Sequence, residues 1–294
     1  MAGAYHGCAP VVSMSYDMPL SKMPENIPAL LHPLLNQYLG ALDDQLPGLV
    51  EGCYIHGSLA LDAFHSDQSD IDFVSVTSRS CTDDDIERLT DIHQTLAKKF
   101  PKWPLQGSYI RWRDLGKFAD SVQPGPVFSD NHLRPHSHHD LNAITWWILK
   151  NRGIALIGPA PETLDFVVDW ELLLDMMLEN LNTYWVRFTR EPGRILWLFS
   201  DYGIQWTVLG VLRQFYTFRE QDITSKIGAG DYGLQSVPAR WHRLIQEAII
   251  IRNQTGLTLY RSRITRAIEA FRFLKFIINR CNTDFADYKQ VKEN

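Results

Sequence analysis

Residues 52–76 read GCYIHGSLALDAFHSDQSDIDFVSV. Two apolar, strand-like runs, Cys53–Ile55 and Ile71–Val76, flank a Gly57-Ser58 pair and an Asp70-x-Asp72 pair. Side chains two residues apart along a strand share a face. Asp70 and Asp72 therefore project together, while Ile71 and Phe73 turn to the other side. Paired carboxylates repel each other unless a cation neutralises them. A hard divalent ion such as Mg²⁺ does this when held by one or two carboxylates plus substrate phosphates. Gly57-Ser58, at the end of the first strand, offers a flexible backbone and a hydroxyl suited to phosphate oxygens. Asp-x-Asp alone is most often a turn or N-cap feature; the upstream Gly-Ser, the intervening turn and the strand context give it chemical meaning.

Working outward, residues 1–24 show little period and several Gly and Pro, which predicts a loose arm. Apolar residues at helical spacing from Ile27 to Leu46 predict a helix, with Asn26 as a possible cap and Pro47-Gly48 as its end. A strand over about 49–56 delivers Gly57-Ser58, and Leu59–Phe64 reads as a short helix carrying Asp62. Thr82 and Asp83, Asp84 and Asp85 open a helix running to about Phe100, where the carboxylates serve the helix start. Leu105–Arg111 is a third strand. Residues 116–139 read as a long loop ending in His132, His136, His138 and His139, whose spacing lacks the second cluster of a structural zinc site. Asp140 is expected to start a helix over 141–151, and Ile154–Ile157 to form another strand. Beyond about 165, amphipathic helices are expected near 170–189, 195–219, 238–253 and 258–281. The segregation predicts an α+β chain: a mixed sheet with helices over 25–165, then an all-helical domain over 166–294.

Composition narrows the function classes. The chain has 294 residues, 45% hydrophobic and 21% charged, with a net charge of −5. That balance is globular, carries no basic footprint for nucleic acid and suits a cationic small substrate. Cys8, Cys53, Cys81 and Cys281 are scattered without disulfide or zinc spacing. The N-terminus lacks signal-peptide character, and no apolar run has the length of a membrane span. The expectation is a cytoplasmic protein without a membrane partner, a monomer or weak dimer.

A strand ending in Gly57-Ser58, a helical turn, then Ser69-Asp70-Ile71-Asp72 opening a second strand resembles the DNA polymerase β-like nucleotidyltransferases. Ile154-Ala155-Leu156-Ile157-Gly158-Pro159 and the helix before it are similar to the streptomycin/spectinomycin-type aminoglycoside adenylyltransferases. So is the helical half, where Arg213 and, thirteen residues later, Lys226 match an Arg/Lys pair. The resemblance implies that ATP is the co-substrate, that Asp70 and Asp72 hold Mg²⁺, and that Arg213 and Lys226 contact the triphosphate, with Gly57-Ser58 beside it. A hydroxyl of an aminoglycoside-like acceptor would attack the α-phosphorus, and AMP would be transferred.

One position departs. The family places a Glu, the proton acceptor, on the third strand; the matching stretch Leu105-Gln106-Gly107-Ser108 holds Gln106 at that position. An amide accepts hydrogen bonds but not a proton at neutral pH. An engineered change, a slow enzyme using another base such as Asp114 or a water, and nucleotide or drug binding without transfer are the open alternatives; a protein acceptor is another. A missing base would let Gln106→Glu raise transfer by about 10²–10⁴. Asp169, Glu171, Asp175, Glu179 and Asp201 are candidates for an acidic face toward a cationic acceptor.

Overall fold

The computed structural model describes residues 23–293, the stretch from 285 onward as backbone only. The arm expected over 1–24 thus lies almost wholly outside the described residues. The N-terminal half carries α1 (His32–Gln45), β1 (Val50–Ile55), α2 (Gly57–Ala60), β2 (Ile71–Thr77), α3 (Asp83–Lys99), β3 (Leu105–Arg111), β4 (Gly125–Ser129), β5 (His132–Ser137), α4 (Ala143–Arg152) and β6 (Ile154–Ile157). The six strands form one sheet in the order β5-β4-β3-β2-β1-β6. β2 and β3 run parallel, joined by α3, while β1 pairs antiparallel with both β2 and β6.

Alternation along the strands divides the core. Cys53, Ile55, Ile71, Phe73, Leu105 and Tyr109 meet α1 and α3 through Leu34, Leu35, Leu89 and Ile92. Tyr54, Val74, Val76 and Ile110 on the opposite face meet Trp146 and Leu149 of α4. The first face contains a polar knot: Tyr38 Oη lies 2.7 Å from Tyr109 Oη, which lies 2.8 Å from His93 Nε2. His93 stacks on Phe128 at 4.0 Å, and burial pushes its pKa down to about 3, so the ring is neutral.

The helical half comprises α5 (Trp170–Thr183), α6 (Pro192–Trp197), α7 (Asp201–Glu220), α8 (Lys226–Ser236), α9 (His242–Asn253) and α10 (Arg263–Glu293). α7 is its axis, buried along most of its length and packed on α8, α9 and α10. Arg266 of α10 reaches Glu247 of α9 at 2.8 Å and Asp201 of α7 at 2.6 Å. Glu247 also accepts from Thr258 Oγ1 and from the Leu259 amide, both at 2.6 Å, so this buried carboxylate is fully paired. α4 joins the two halves: Ala143 and Ile148 belong to the helical core, Trp146 and Leu149 to the sheet. The α+β architecture expected from the sequence is the one observed.

Several local expectations need correction. Asn26 caps nothing: a 3₁₀ turn over Ala29–Leu31 precedes α1, which starts with Pro33 in its first turn. The short helix is Gly57–Ala60, and Asp62 follows it in a left-handed conformation. The loop read over 116–139 contains the β4–β5 hairpin, turned by Asp130 and Asn131 with φ of 52° and 59°. Positive φ at both central residues suits the right-handed twist of the flanking strands. α8 interrupts the stretch left between expected helices. Asp140 does not start α4: Asn142 caps it, its Oδ1 accepting from the amides of Ile144 and Thr145.

Candidate functional site

The carboxyl end of β1 and the start of β2 open into a cavity of about 390 Å³, closed on the far side by α7, α8 and α9. His56, Gly57, Ser58, Asp70 and Asp72 line it from the sheet side; Trp206, Arg213, Lys226 and Arg252 line it from the helices. Six of the seven residues singled out from the sequence are therefore brought together, across a sequence separation of more than 150 residues. Gln106 is the seventh. It sits directly opposite Asp72 in the parallel β2–β3 register, on the same face, yet it does not line the cavity.

Each side chain is placed by a local device. β1 ends at His56, whose amide donates to the Asp72 carbonyl at 3.0 Å, locking the two strand ends together. Gly57 then takes φ +64°, and a Cβ there would lie 1.8 Å from Asp72 Oδ2. Only a glycine allows both the left-handed turn and the close approach. Ser58 follows in the first turn of α2, its Oγ buried without a hydrogen-bond partner among the described residues. On the helical side, Arg213 lies in mid-α7 and donates from Nε to the Thr224 carbonyl at 3.2 Å. The next residue, Ser225, caps α8, and Lys226 is that helix's first residue. The thirteen-residue spacing thus corresponds to the rest of α7, a turn at Gln221 and a capped restart that returns the chain to Arg213.

Electrostatics divide the cavity into two poles. Burial, with Asp70 and then Asp140 adding repulsion, pushes Asp72 up to about 8. Burial pushes Lys226 down to about 8, helped by Arg252 and Arg213 and opposed by Asp70 and Asp72. Arg213 and Arg252 are both lowered, chiefly by burial. The Lys226 ammonium also lies 4.7 Å above the Trp206 ring, a cation–π contact. Two carboxylates in an unfavourable proximity thus face three cations. Ser58 Oγ, buried with unused hydrogen-bonding capacity, lines the same cavity. This donor set fits a divalent cation at Asp70 and Asp72 and phosphate oxygens at Ser58, Arg213, Lys226 and Arg252.

Two lining residues escaped sequence reasoning. Arg252 occupies the last turn of α9, in a helix read only as amphipathic. Asp140, expected at a helix start, lines the cavity with φ +52°. Its carboxylate lies 3.2 Å from His139 Nε2; burial raises its pKa, the His139 hydrogen bond and charge lower it, and the net shift is downward.

Other expectations fail geometrically. Asp114 is buried beside Arg111 Nε at 2.7 Å and lines a separate cavity under β3. Asp169, Glu171, Asp175, Glu179 and Asp201 are all exposed, and none lines the main cavity. Asp169 caps α5, and Asp201 pairs with Arg266. His132 and His136 lie on β5, and His138 donates from Nε2 to the Val122 carbonyl at 3.0 Å. Among the described residues, no group of three His, Cys, Asp or Glu side chains is gathered to hold a metal. No helix among them is long and apolar enough to cross a membrane.

Residues 200–272 match the family described as aminoglycoside adenylyltransferase, C-terminal domain. Over this span the chain is similar to the aminoglycoside adenylyltransferases. The matched span runs from the cap of α7 into the first part of α10 and contains Arg213, Lys226 and Arg252. The fold is similar to the crystal structure of spectinomycin adenyltransferase AAD(9) from Enterococcus faecialis with ATP and spectinomycin. That likeness has a TM-score of 0.63 at 16% identity and covers 85% of this chain and 99% of that one. Comparison with curated proteins gives no match.

Proposed function

We propose that the protein is an ATP-dependent nucleotidyltransferase that transfers AMP to a hydroxyl of an aminoglycoside-like small molecule. One observation carries this reading: a carboxylate pair at the strand ends faces three buried or half-buried cations across a single cavity, and the cations lie within the adenylyltransferase-like span. Support also comes from the similar structure, a spectinomycin adenyltransferase described with ATP and spectinomycin. The division into a nucleotidyltransferase domain over 25–165 and a helical domain from 166 belongs to the same reading.

In this reading Asp70 and Asp72 hold Mg²⁺, which when bound neutralises charge at the reacting phosphate. Arg213 offers a planar fork and Lys226 and Arg252 add positive charge; together they bind the triphosphate and draw the pyrophosphate away as it leaves. Ser58 donates its hydroxyl to a phosphate oxygen, and the Gly57 turn keeps the backbone clear of Asp72. The acceptor oxygen attacks the α-phosphorus from the side opposite the leaving pyrophosphate. The helical wall of the cavity, with Trp206 and Lys226, positions the nucleotide against the sheet.

Purified protein incubated with ATP, Mg²⁺ and either spectinomycin or streptomycin tests the reading: pyrophosphate release together with an adenylylated product by mass spectrometry is expected. ATP–Mg²⁺ binding without either product would leave the second reading, nucleotide binding without transfer, which Gln106 favours.

A further inference from the structure

The site has a carboxylate pair for a cation but, at the matching strand position, an amide that cannot take a proton. The fold supplies a replacement from another element. Ser108, two residues beyond Gln106 and on the same face of β3, donates its hydroxyl to the His139 carbonyl at 2.9 Å. This bond ties the segment after β5 across the strand face that carries Gln106. The next residue is Asp140, which lines the cavity with Asp70 and Asp72. Its backbone takes φ +52°, and its carbonyl accepts from the Asn142 amide at 2.9 Å. Left-handed backbone at a non-glycine residue is strained and persists where the surroundings impose it. Asp140 Oδ2 pairs with His139 Nε2 at 3.2 Å. The side chain is about half exposed, at 47%.

We infer that Asp140, presented on the β5–α4 segment, is the catalytic proton acceptor of the site. Asp140 enters the cavity from a different element than the Asp70–Asp72 pair, on the segment between β5 and α4. The step balances: the acceptor hydroxyl oxygen forms a bond to the α-phosphorus, the bond from that phosphorus to the bridging oxygen of pyrophosphate breaks, and the hydroxyl proton passes to Asp140. His139 orients the carboxylate through Oδ2. The other carboxylates near the sheet end do not compete: Asp114 is paired with Arg111 in another cavity, and Asp62 does not line this one.

This inference rests on the nucleotidyl-transfer reading, and the experiment separates the two. Single-turnover pyrophosphate release with spectinomycin and with streptomycin is measured beside ATP–Mg²⁺ affinity by calorimetry. Asp140→Asn keeps the shape, and asparagine tolerates left-handed backbone. It is expected to bind ATP–Mg²⁺ within about twofold of the unchanged protein while releasing pyrophosphate about 10²–10⁴ more slowly. Adding Gln106→Glu to Asp140→Asn is expected to recover at least about tenfold, because a carboxylate returns to the same strand face. Gln106→Glu alone then changes the rate by less than about tenfold, since a base is already present. Asp140→Asn turnover within about threefold of the unchanged protein, or loss of ATP–Mg²⁺ binding with no recovery in the double variant, overturns the assignment. So does a gain of about 10² or more from Gln106→Glu alone. Failure of the underlying reading looks different: the unchanged protein releases no pyrophosphate with either compound, and the assignment falls with it.

Discussion

Gly57→Ala perturbs the site at one methyl group, and the structure supplies its own control. At Gly57 the added Cβ would lie 1.8 Å from Asp72 Oδ2 and 2.7 Å from its Cγ. Contact between nonbonded heavy atoms is comfortable only near roughly 3.5 Å, so the carboxylate must retreat by more than about 1 Å. The left-handed backbone adds a cost of about 1–2 kcal/mol. Gly48 has a comparable φ of +70°, but a Cβ there meets nothing within 4 Å. Gly48→Ala therefore pays the backbone cost alone. Both variants should lose about 1–2 kcal/mol of stability by chemical denaturation, with Gly57→Ala losing more. Only Gly57→Ala should disturb the site: a misplacement near 1 Å costs on the order of 10²-fold in turnover, and displacing Asp72 should weaken ATP–Mg²⁺ binding at least about tenfold. Calorimetric titration of ATP–Mg²⁺ and pyrophosphate release, compared between the two variants, read this directly. ATP–Mg²⁺ affinity of Gly57→Ala within about twofold of Gly48→Ala would refute the placement of Asp72 against the Gly57 turn.

Proton linkage provides a second expectation. With Asp72 raised to about 8, the folded protein resists ionising it, so stability without ligand falls as pH rises from the ordinary carboxylate range toward 8, and cation binding near pH 7 expels a proton. Lys226, lowered to about 8, takes up a proton on binding phosphate above that pH. Titrations of ATP–Mg²⁺ in buffers of different ionisation enthalpy should show net release near pH 7 that shrinks and reverses as pH passes 8; uptake at pH 7 would contradict both assignments. Lys226→Met should weaken ATP–Mg²⁺ binding by about 1.5–3 kcal/mol, roughly ten- to hundredfold, with a smaller salt dependence in the residual affinity. Glu247→Gln leaves Arg266 short of its buried partner and should cost about 3–5 kcal/mol in denaturant unfolding. A cost below about 1 kcal/mol would mean that Asp201 alone satisfies Arg266.

How far the sequence carried the fold depended on the period and length of each element. The 52–76 stretch was legible because alternation, a Gly-Ser end and the Asp pair all pointed to one geometry. Leu105–Arg111 and Ile154–Ile157 are observed at their expected bounds. The register that sets Gln106 opposite Asp72 agrees with its assignment to the third strand. The β4–β5 hairpin was missed although Asp130-Asn131 is a chemically sound turn pair, because β5 is largely exposed and lacks an apolar alternation. α8 was missed because Gly228, Gly230 and Gly233 dilute its helical signal; Gly230 and Gly233 let α7 and α9 side chains approach closely. The acidic candidates of the helical half failed for a general reason: charge on an amphipathic helix marks its solvent side more often than a cleft. Arg252 is the converse, a last-turn arginine whose local sequence differs little from that of a solvated one. Only the packing of α9 on α7 places it over the carboxylates.

The charge balance of the cavity explains how Gln106 and Asp140 can be two sides of one arrangement. Asp72 is already held partly protonated by burial, by Asp70 and by Asp140. A glutamate at position 106, in register beside Asp72 and on the same strand face, would add a further carboxylate to that repulsion. The amide removes the charge while keeping the shape and a hydrogen-bonding head. Asp140 arrives from a different element, with His139 beside it to hold its carboxylate in the ionised form. Its loop depends on Ser108, a neighbour of Gln106 on the same strand face. Strand β3 in this reading has given up one carboxylate and acquired an anchor for another. Ser108→Ala should therefore reduce turnover while leaving ATP–Mg²⁺ affinity within about twofold, because Asp70, Asp72, Arg213 and Lys226 do not rely on that anchor. Equal loss of affinity and turnover would place Ser108 in the support of the whole sheet end, and would separate the Asp140 loop from the chemistry.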